Sequence, residues 1–262
     1  MIDKIFNEDC LIGMKKLADG SVDFILTDLP YNVLDPQTEW DVTPPLENLR
    51  EEFLRIIKSN GAIALFSSGR FTFELGAVFK DYFKYKFVWK KQTVSGFINC
   101  KYRPLTAHED ILIFSKGTAA PRASNNMTYN PQGLIRIDKR RGNGNRKFGT
   151  TSGKRPCNAN YADYVAKYGN YPRDVLEFNA LASSVNRLHT SQKPTDLLEY
   201  LIKTYTNEGE LVLDATIGSG STAVACINTN RHFVGFETDE KFFNIANERI
   251  SKALAERSQA LF

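Results

Sequence analysis

The sequence LVLDATIGSGSTAVAC at residues 211–226 joins a short apolar strand to a helix through a glycine-rich turn. Gly218 and Gly220 let the backbone approach a ligand closely, and the start of the following helix offers free N–H groups and a positive dipole end. The next apolar stretch, HFVGFE, ends in Glu237, whose carboxylate can accept hydrogen bonds from both hydroxyls of a ribose. Together these features predict a site for a nucleoside-containing cofactor.

The same turn leaves the class of cofactor open. The string GSGSTA also fits the dinucleotide fingerprint G-x-G-x-x-G/A, so an NAD-dependent oxidoreductase is one alternative at this point. A tight strand-to-helix turn without a ligand is the other.

Around this stretch, short apolar runs alternate with helical segments along the chain. Strands are predicted at 4–9, 22–28, 62–68, 86–91, 110–116, 210–215 and 232–237, and helices at 11–18, 46–59, 71–83, 194–207, 221–229 and 239–256. Asn60-Gly61 is expected to end the second helix, and Pro194 to open the fourth. The alternation indicates the α/β class, a Rossmann-like sheet of parallel strands flanked by helices.

A second motif follows an apolar strand in VDFILTDLPYN. An aromatic amine is a poor nucleophile because its lone pair is delocalised into the ring. Asp28 and the backbone carbonyl of Leu29 can accept the N–H protons and direct that lone pair at an electrophilic methyl group. Pro30 fixes the turn, and Tyr31 offers a ring face on which an extruded base can stack.

The charge of the chain is concentrated in one segment. Residues 116–173 carry twelve Lys or Arg and two acidic residues, in a chain whose net charge is +4. Periodicity is lost in this segment, which predicts a loop-rich insertion; a basic insertion suits the phosphate backbone of DNA, and a solvated loop is the alternative. The predicted DNA contacts are Arg136, Lys139, Arg140, Arg141, Arg146, Lys147, Lys154 and Arg155.

Other features exclude several classes of protein. The four cysteines form no C-x-x-C pair, and the three histidines lack the spacing of metal ligands, so we predict neither a metal nor a disulfide framework. Because no stretch approaches the roughly 18 apolar residues of a membrane span, a cytoplasmic location is expected.

Taken together, the motifs resemble those of the DNA amino-methyltransferases, specifically the permuted β class, in which the base-site motif comes first and the cofactor motif last. HTSQKPTDLLEYLI at 189–202 is similar to the H-x-x-Q-K-P segment of that family, and DATIGSGSTA at 214–223 to its D-x-F-x-G-S-G-T motif. The similarity covers nearly the whole chain outside the basic insertion. The sequence departs from the family pattern at Leu29, where most members have Pro, and at Thr216-Ile217.

The resemblance implies S-adenosylmethionine as cofactor and divides the chain into three regions. Residues 1–116 and 174–262 would form the base-site and cofactor halves of the catalytic core, and 117–173 the target-recognition insertion. The implied cofactor contacts are Asp9, Cys10, Asp28, Gln192, Lys193, Pro194, Asp214, Thr216, Gly218, Ser219, Gly220, Glu237 and Thr238.

The resemblance also implies a target and partners. Duplex DNA is the expected substrate, and the N6 amine of adenine the expected acceptor, because Asp28 stands where the cytosine enzymes often carry Ser; the N4 amine of cytosine is the alternative. A second copy of the chain and a cognate restriction endonuclease are candidate partners.

Other classes of function also remain open. An NAD-dependent oxidoreductase would leave DLPY, QKP and the basic insertion without a role. A non-catalytic nucleic-acid-binding subunit would be expected to lack Asp28 or Gly218, and an RNA or protein methyltransferase would share the core chemistry.

Overall fold

The computed structural model describes residues 2–31, 43–141, 164–179 and 192–260. The strands are β1 Lys4–Phe6, β2 Val22–Thr27, β3 Ile57–Ser67, β4 Phe83–Ser95, β5 Thr106–Phe114, β6 Ile135–Arg141, β7 Tyr164–Gly169, β8 Val175–Glu177, β9 Leu211–Asp214 and β10 His232–Phe236. The helices are α1 Cys10–Met14, α2 Leu46–Ile56, α3 Arg70–Val78, α4 Thr195–Tyr205, α5 Ser221–Asn228 and α6 Glu240–Ala260, with 3-10 turns at Lys80–Tyr82 and Phe97–Asn99.

The main sheet has eight strands in the order β1-β10-β9-β2-β3-β5-β4-β8. β5 runs antiparallel to both of its neighbours, and every other pairing is parallel. All strands except β5 therefore point their carboxyl ends toward one edge, where the ligands of open α/β sheets bind. Within the described ranges, no helix has the length and hydropathy of a membrane span.

The sheet is buried on both faces, which explains why its central strands read as continuous apolar runs. Along β2, Phe24 and Leu26 belong to one hydrophobic cluster together with residues of α4, α5 and α6. Ile25 belongs to a second cluster, with residues of α1, α2 and α3. The predicted α/β class is thus confirmed, with β5 as the reversed strand.

The end of α2 differs from the prediction. The helix ends at Ile56, and the chain enters β3 at once, so Asn60-Gly61 lies inside the strand and does not stop the helix. The pairing of β2 with β3 shifts register between Val22 and Phe24, because their partners in β3 are Ile57 and Ala62. A Cβ at Gly61 would lie 2.7 Å from the carbonyl oxygen of Asp23. Glycine is therefore required by the close approach of two strands.

The chain divides into two compact units, one formed by Met1–Asn130 and Asp174–Phe262 and the other by Pro131–Arg173. Residues 117–130 belong to the larger unit, because Met127 is buried in its core and the Asn130 N–H donates to the carbonyl of Thr204 at 2.7 Å. The smaller unit therefore begins later than the insertion predicted at 117.

The smaller unit contains regular structure that the sequence did not predict. β6 and β7 pair antiparallel from Ile135 opposite Gly169 to Arg141 opposite Tyr164. The sequence analysis predicts a loop-rich insertion here and names neither of these two strands. Among the described residues, the two strands form a sheet of their own, and their short sequences gave too weak a period to detect.

Candidate active site

The two sequence motifs meet at the carboxyl edge of the sheet, because β2 and β9 are adjacent and parallel. The hydroxyl oxygens of Thr27 and Thr216 lie 2.9 Å apart, and the Thr216 hydroxyl donates to the backbone carbonyl of Asp28 at 3.0 Å. A cavity of about 840 Å³ opens at this point and is lined by residues of both motifs. Its volume is in the range of pockets that hold a small organic molecule.

Asp28 is held by two donors. Its Oδ1 accepts a hydrogen bond from the Tyr31 hydroxyl at 2.8 Å, and its Oδ2 accepts one from the Lys193 ammonium group. The Lys193 nitrogen also lies 4.9 Å from the centroid of the Phe66 ring, a cation–π geometry. Since a carboxylate has about four lone-pair sites, Asp28 can still accept hydrogen bonds from a substrate.

The ion pair continues into a row of alternating charges. The Lys193 nitrogen lies 3.4 Å from Oε2 of Glu109, and Oε1 of Glu109 accepts a hydrogen bond from Lys91. All four side chains line the cavity and are largely buried. Charges so far removed from water are stable only when each has an opposite charge beside it.

Burial and these neighbours set the proton affinities of the site. Burial raises the pKa of Asp28, and Lys193 opposes this shift. Although burial works against it, the two carboxylates Asp28 and Glu109 raise the pKa of Lys193. For Glu109, burial acts to raise the pKa, but the charges of Lys193 and Lys91 outweigh it and lower the pKa. The charged form of Lys193 is therefore favoured, and its charge opposes the rise in the pKa of Asp28.

The rest of the DLPY turn is held rigidly. The Leu29 side chain is buried in the core, and the carbonyl of Pro30 accepts a hydrogen bond from the Thr43 hydroxyl. The Tyr31 ring lies against Phe71 with ring centroids 5.0 Å apart, and burial followed by the charge of Asp28 raises its pKa well above the usual value. Tyr31 therefore stays protonated as a hydrogen-bond donor to Asp28.

Asp214 organises the glycine-rich turn. Its Oδ1 accepts the Thr216 N–H at 3.2 Å, and its Oδ2 accepts the Thr222 hydroxyl at 2.6 Å. Burial is the main reason that its pKa rises to about 6. The carboxylate thus ties the end of β9 to the first turn of α5.

Glu237 closes the other side of this turn. Its Oε2 accepts the Gly218 N–H and its Oε1 accepts the Asp239 N–H, each at 2.9 Å. Burial raises its pKa. Gly218 has a φ of 52° and no atom within 4 Å of the place where a Cβ would stand. The turn and the acid therefore form a cradle open toward a ligand.

The start of α1 forms a third wall of the cavity. Asp9 caps the helix, because its Oδ1 accepts the N–H groups of Leu11 at 2.8 Å and Ile12 at 3.3 Å. Burial raises the pKa of the Cys10 thiol to about 12, so the thiol stays protonated. Among the described residues, Oε1 of Glu8 is buried without a hydrogen-bond partner, and Glu8 lines the cavity. This acceptor, the open glycine turn and Glu237 fit a nucleoside-containing cofactor.

The remaining predicted cofactor residues lie only partly on the cavity wall, which includes Gln192, Ser219 and Thr238 but not Pro194 or Gly220. Pro194 precedes the first residue of α4. The Ser219 hydroxyl is turned toward α6 and accepts a hydrogen bond from Arg249 at 3.0 Å. Gly220 has a φ of 81° and lies against Ala246, where a Cβ would be 3.0 Å from the alanine Cβ. Ser219 and Gly220 thus anchor the turn on α6.

The structure describes part of the predicted DNA-binding set. Arg136, Lys139 and Arg140 are exposed on β6, where Arg136 pairs with Asp138 at 2.7 Å. For Arg141 only the backbone position in β6 is described. Arg146, Lys147, Lys154 and Arg155 lie outside the described residues, so their predicted role stays a prediction.

Sequence reasoning missed Glu109, Lys91 and Trp89. The two sequence motifs follow the carboxyl ends of strands, whereas Glu109 lies near the amino end of β5, and the reversed direction of β5 brings that end to the active edge. The acidic pair Glu109-Asp110 just before the apolar run ILIF was the available signal. Lys91 and Trp89 lie toward the carboxyl end of β4, and the Lys91 nitrogen is 5.0 Å from the centroid of the Trp89 ring.

The fold and this cavity define a class, the α/β proteins with a nucleoside-cofactor site at the carboxyl edge of the sheet. A family model described as DNA methylase, N6_N4_Mtase, matches residues 22–248. The chain therefore belongs to this DNA methylase family.

Relatives extend the comparison along the chain. The type II methyltransferase M.HpaI of Haemophilus parainfluenzae is 24% identical over 270 residues, which cover 95% of this chain and 74% of that protein. The type II methyltransferase M1.MboII of Moraxella bovis is 25% identical, with 94% of this chain and 95% of that protein covered.

Solved structures share the fold. The M1.HpyAVI-SAM complex is 21% identical with a TM-score of 0.60 and covers 94% of this chain and 98% of its own. PvuII DNA methyltransferase (cytosine-N4-specific) is 13% identical with a TM-score of 0.66, and the match covers 96% of this chain and 90% of that chain. The Rossmann-like methyltransferase fold predicted from the sequence is thereby confirmed.

Proposed function

We propose that this protein is a DNA methyltransferase that uses S-adenosylmethionine to methylate the exocyclic N6 amine of adenine in duplex DNA. The observation that carries the proposal is the hydrogen bond from Thr216, next to the glycine turn, to the backbone of Asp28. This hydrogen bond holds the Asp28 carboxylate, which can bind an amine, next to the glycine turn and Glu237, which can bind a nucleoside. The family match supports the same reaction class.

The bound cofactor supplies a sulfonium methyl group, and the chain has to prepare the amine. A base inside a duplex cannot reach a cavity, so it must be extruded, and its flat ring can lie against Tyr31. Asp28 and the carbonyl of Leu29 accept the two amine protons, which withdraws the lone pair from the aromatic ring. Lys193 offsets part of the rise in the pKa of Asp28 and so favours the ionised form needed for this task, and the carboxylate can take the proton that the methylated amine releases.

The order of motifs supports the permuted β class. The DLPY turn at 28–31 comes before the basic segment, and the glycine turn at 218–220 comes last. Within the basic segment, we assign target recognition to residues 131–173, which form the smaller unit. A homodimer and a cognate restriction endonuclease are further parts of this proposal, and size-exclusion chromatography with light scattering tests the dimer.

The decisive experiment identifies the modified base. The protein is incubated with labelled S-adenosylmethionine and unmethylated plasmid DNA, and the digested nucleosides are analysed by mass spectrometry. N6-methyladenine is the expected product. If the product is N4-methylcytosine, the protein is a cytosine enzyme instead of an adenine enzyme. The proposed function is contradicted if RNA or protein is methylated and DNA is not, or if none of the three is methylated.

A pair of variants tests the role of Asp28. Asp28→Ala should bind the cofactor in equilibrium dialysis yet transfer no methyl group, because nothing then accepts the amine proton. Asp81→Ala, at an exposed position in the 3-10 turn after α3, is the matched control and should retain full activity. Equal activity of the two variants would remove Asp28 from the reaction.

A further inference from the structure

The connection between β4 and β5, residues 96–105, lies at the active edge of the sheet. β4 runs parallel to the other strands that end there, so the chain leaves β4 on the side where Asp28 lies. Thr93, Val94 and Ser95, the last residues before this loop, line the active-site cavity. The loop therefore continues the cavity wall outward into solvent.

The loop exposes large apolar side chains. Phe97 is 64% exposed, Ile98 95% and Tyr102 88%. Contiguous apolar side chains held out in water are unfavourable, and such patches mark contact surfaces. The loop of a protein that had no partner at this edge would be expected to carry polar residues here.

Hydrogen bonds hold the loop in shape. Gly96, with a φ of 92°, begins the 3-10 turn, and its carbonyl accepts the Asn99 N–H at 2.9 Å. The carbonyl of Asn99 in turn accepts the N–H groups of Tyr102 at 2.9 Å and Arg103 at 3.0 Å. The apolar side chains are thus presented on a preformed support, which lowers the entropy lost when they bind.

The positive charge of the loop favours an anionic partner. Lys101 and Arg103 are exposed next to the apolar tip, and the sequence from Lys90 to His108 contains no acidic residue. A partner that offers both phosphates and flat apolar slots is a base-paired nucleic acid. An anionic membrane surface shares the charge, but it gives no reason for the loop to continue a cavity that holds an amine-binding carboxylate.

We propose that Phe97 and Ile98 insert into the base stack of duplex DNA beside the target base, while Lys101 and Arg103 contact the flanking phosphates. The inserted side chains occupy the gap that opens when the target base leaves the stack and enters the cavity. This inference rests on the proposed function, because it assigns the loop to the same reaction.

The test compares paired and unpaired targets. Phe97→Ala with Ile98→Ala is assayed on a duplex that contains the mapped methylation site, and on the same duplex with an abasic site opposite the target base. We expect the double substitution to slow methylation about tenfold or more on the paired duplex, and much less on the abasic one, where extrusion is easy. Leu254→Ala is the matched control, because Leu254 is an exposed apolar residue toward the carboxyl end of α6. This substitution should change neither rate.

Three results would overturn the inference. In the first, the double variant methylates the paired duplex as fast as the wild type. In the second, it loses activity equally on both duplexes. In the third, the wild type binds anionic lipid vesicles and the double variant does not, while both methylate DNA equally well. If the wild type methylates no DNA, the proposed function itself fails, and the loop is then judged by duplex binding alone. Equal duplex affinities of wild type and double variant would in that case refute it.

A label on the loop gives a second readout that needs no catalysis. Cys100 is exposed within the loop, whereas Cys10 and Cys226 are buried. An environment-sensitive fluorophore on Cys100, in a Cys157→Ser background, should change its emission when duplex DNA is added. Emission that stays constant at saturating DNA would show that the loop does not reach the duplex.

Discussion

Replacing Lys193 with Met removes the ammonium group between Asp28 and Glu109 and keeps most of the side-chain volume. The three side chains are 11%, 20% and 14% exposed, so two carboxylates would remain largely buried without their shared cation. Removing one partner of a buried ion pair costs about 3–5 kcal/mol, and the remaining exposure brings the expected loss of unfolding free energy to about 2–3 kcal/mol. Urea denaturation at neutral pH measures this loss.

The same substitution should change how methylation depends on pH. Without the cation, the pKa of Asp28 rises further, so a larger fraction is protonated at neutral pH and cannot accept the amine protons. The acid limb of the kcat profile should move to higher pH, and part of the lost activity should return as the pH is raised. The loss of stability should shrink in acid, where both carboxyl groups are protonated and need no partner.

Two controls make the outcome decisive. Lys203→Met removes a partly exposed helix pair with Glu199 and should cost no more than about 0.5 kcal/mol. Lys193→Met with Asp28→Asn removes the buried negative charge that has lost its cation and should recover part of the stability, whereas Glu109 keeps its partner Lys91. An unchanged acid limb combined with a raised KM for S-adenosylmethionine would refute the reasoning, because Lys193 would then act on the cofactor and not on Asp28.

Three other perturbations follow from the cofactor half and the basic unit. The pKa of Asp214 is raised to about 6 in the folded state, so its stabilising contribution is present in acid and is lost as the pH rises through 6. Between pH 4 and 7 the wild type should therefore lose about 2 kcal/mol more than Asp214→Asn in urea titrations. Gly220→Ala should lower the unfolding free energy by about 1–3 kcal/mol, since φ is 81° and Ala246 is close, whereas Gly76→Ala, which meets no atom within 4 Å inside α3, should not. Arg140→Ala with Arg141→Ala should weaken DNA binding and flatten its salt dependence in anisotropy titrations.

Contrary results would locate the error in each case. Equal pH dependence of wild type and Asp214→Asn would mean that Asp214 titrates as an ordinary carboxylate. A Gly220→Ala variant as stable as the wild type would mean that the turn can move away from α6. Affinity that stays constant across a salt series for wild type and variant alike would remove the basic unit from DNA binding.

The sequence alone determined most elements of the core and the chemistry at the ends of β2 and β9. Apolar runs, glycines and helix starts act over a few neighbouring residues, so the strand before Asp28 and the glycine turn before α5 could be predicted. The end of α2 was missed, because pairing with β2 favoured strand over helix at Ile57.

Only the tertiary structure decided which of these groups act together. Lys193 and Asp28 are 165 residues apart in the chain, and Glu109 reaches them because β5 runs against its neighbours. Strand order and direction follow from how the whole chain covers both faces of the sheet, which no local pattern encodes. The ion pairs that tune the amine site are therefore a property of the fold, whereas the carboxylate that they tune was visible in the sequence.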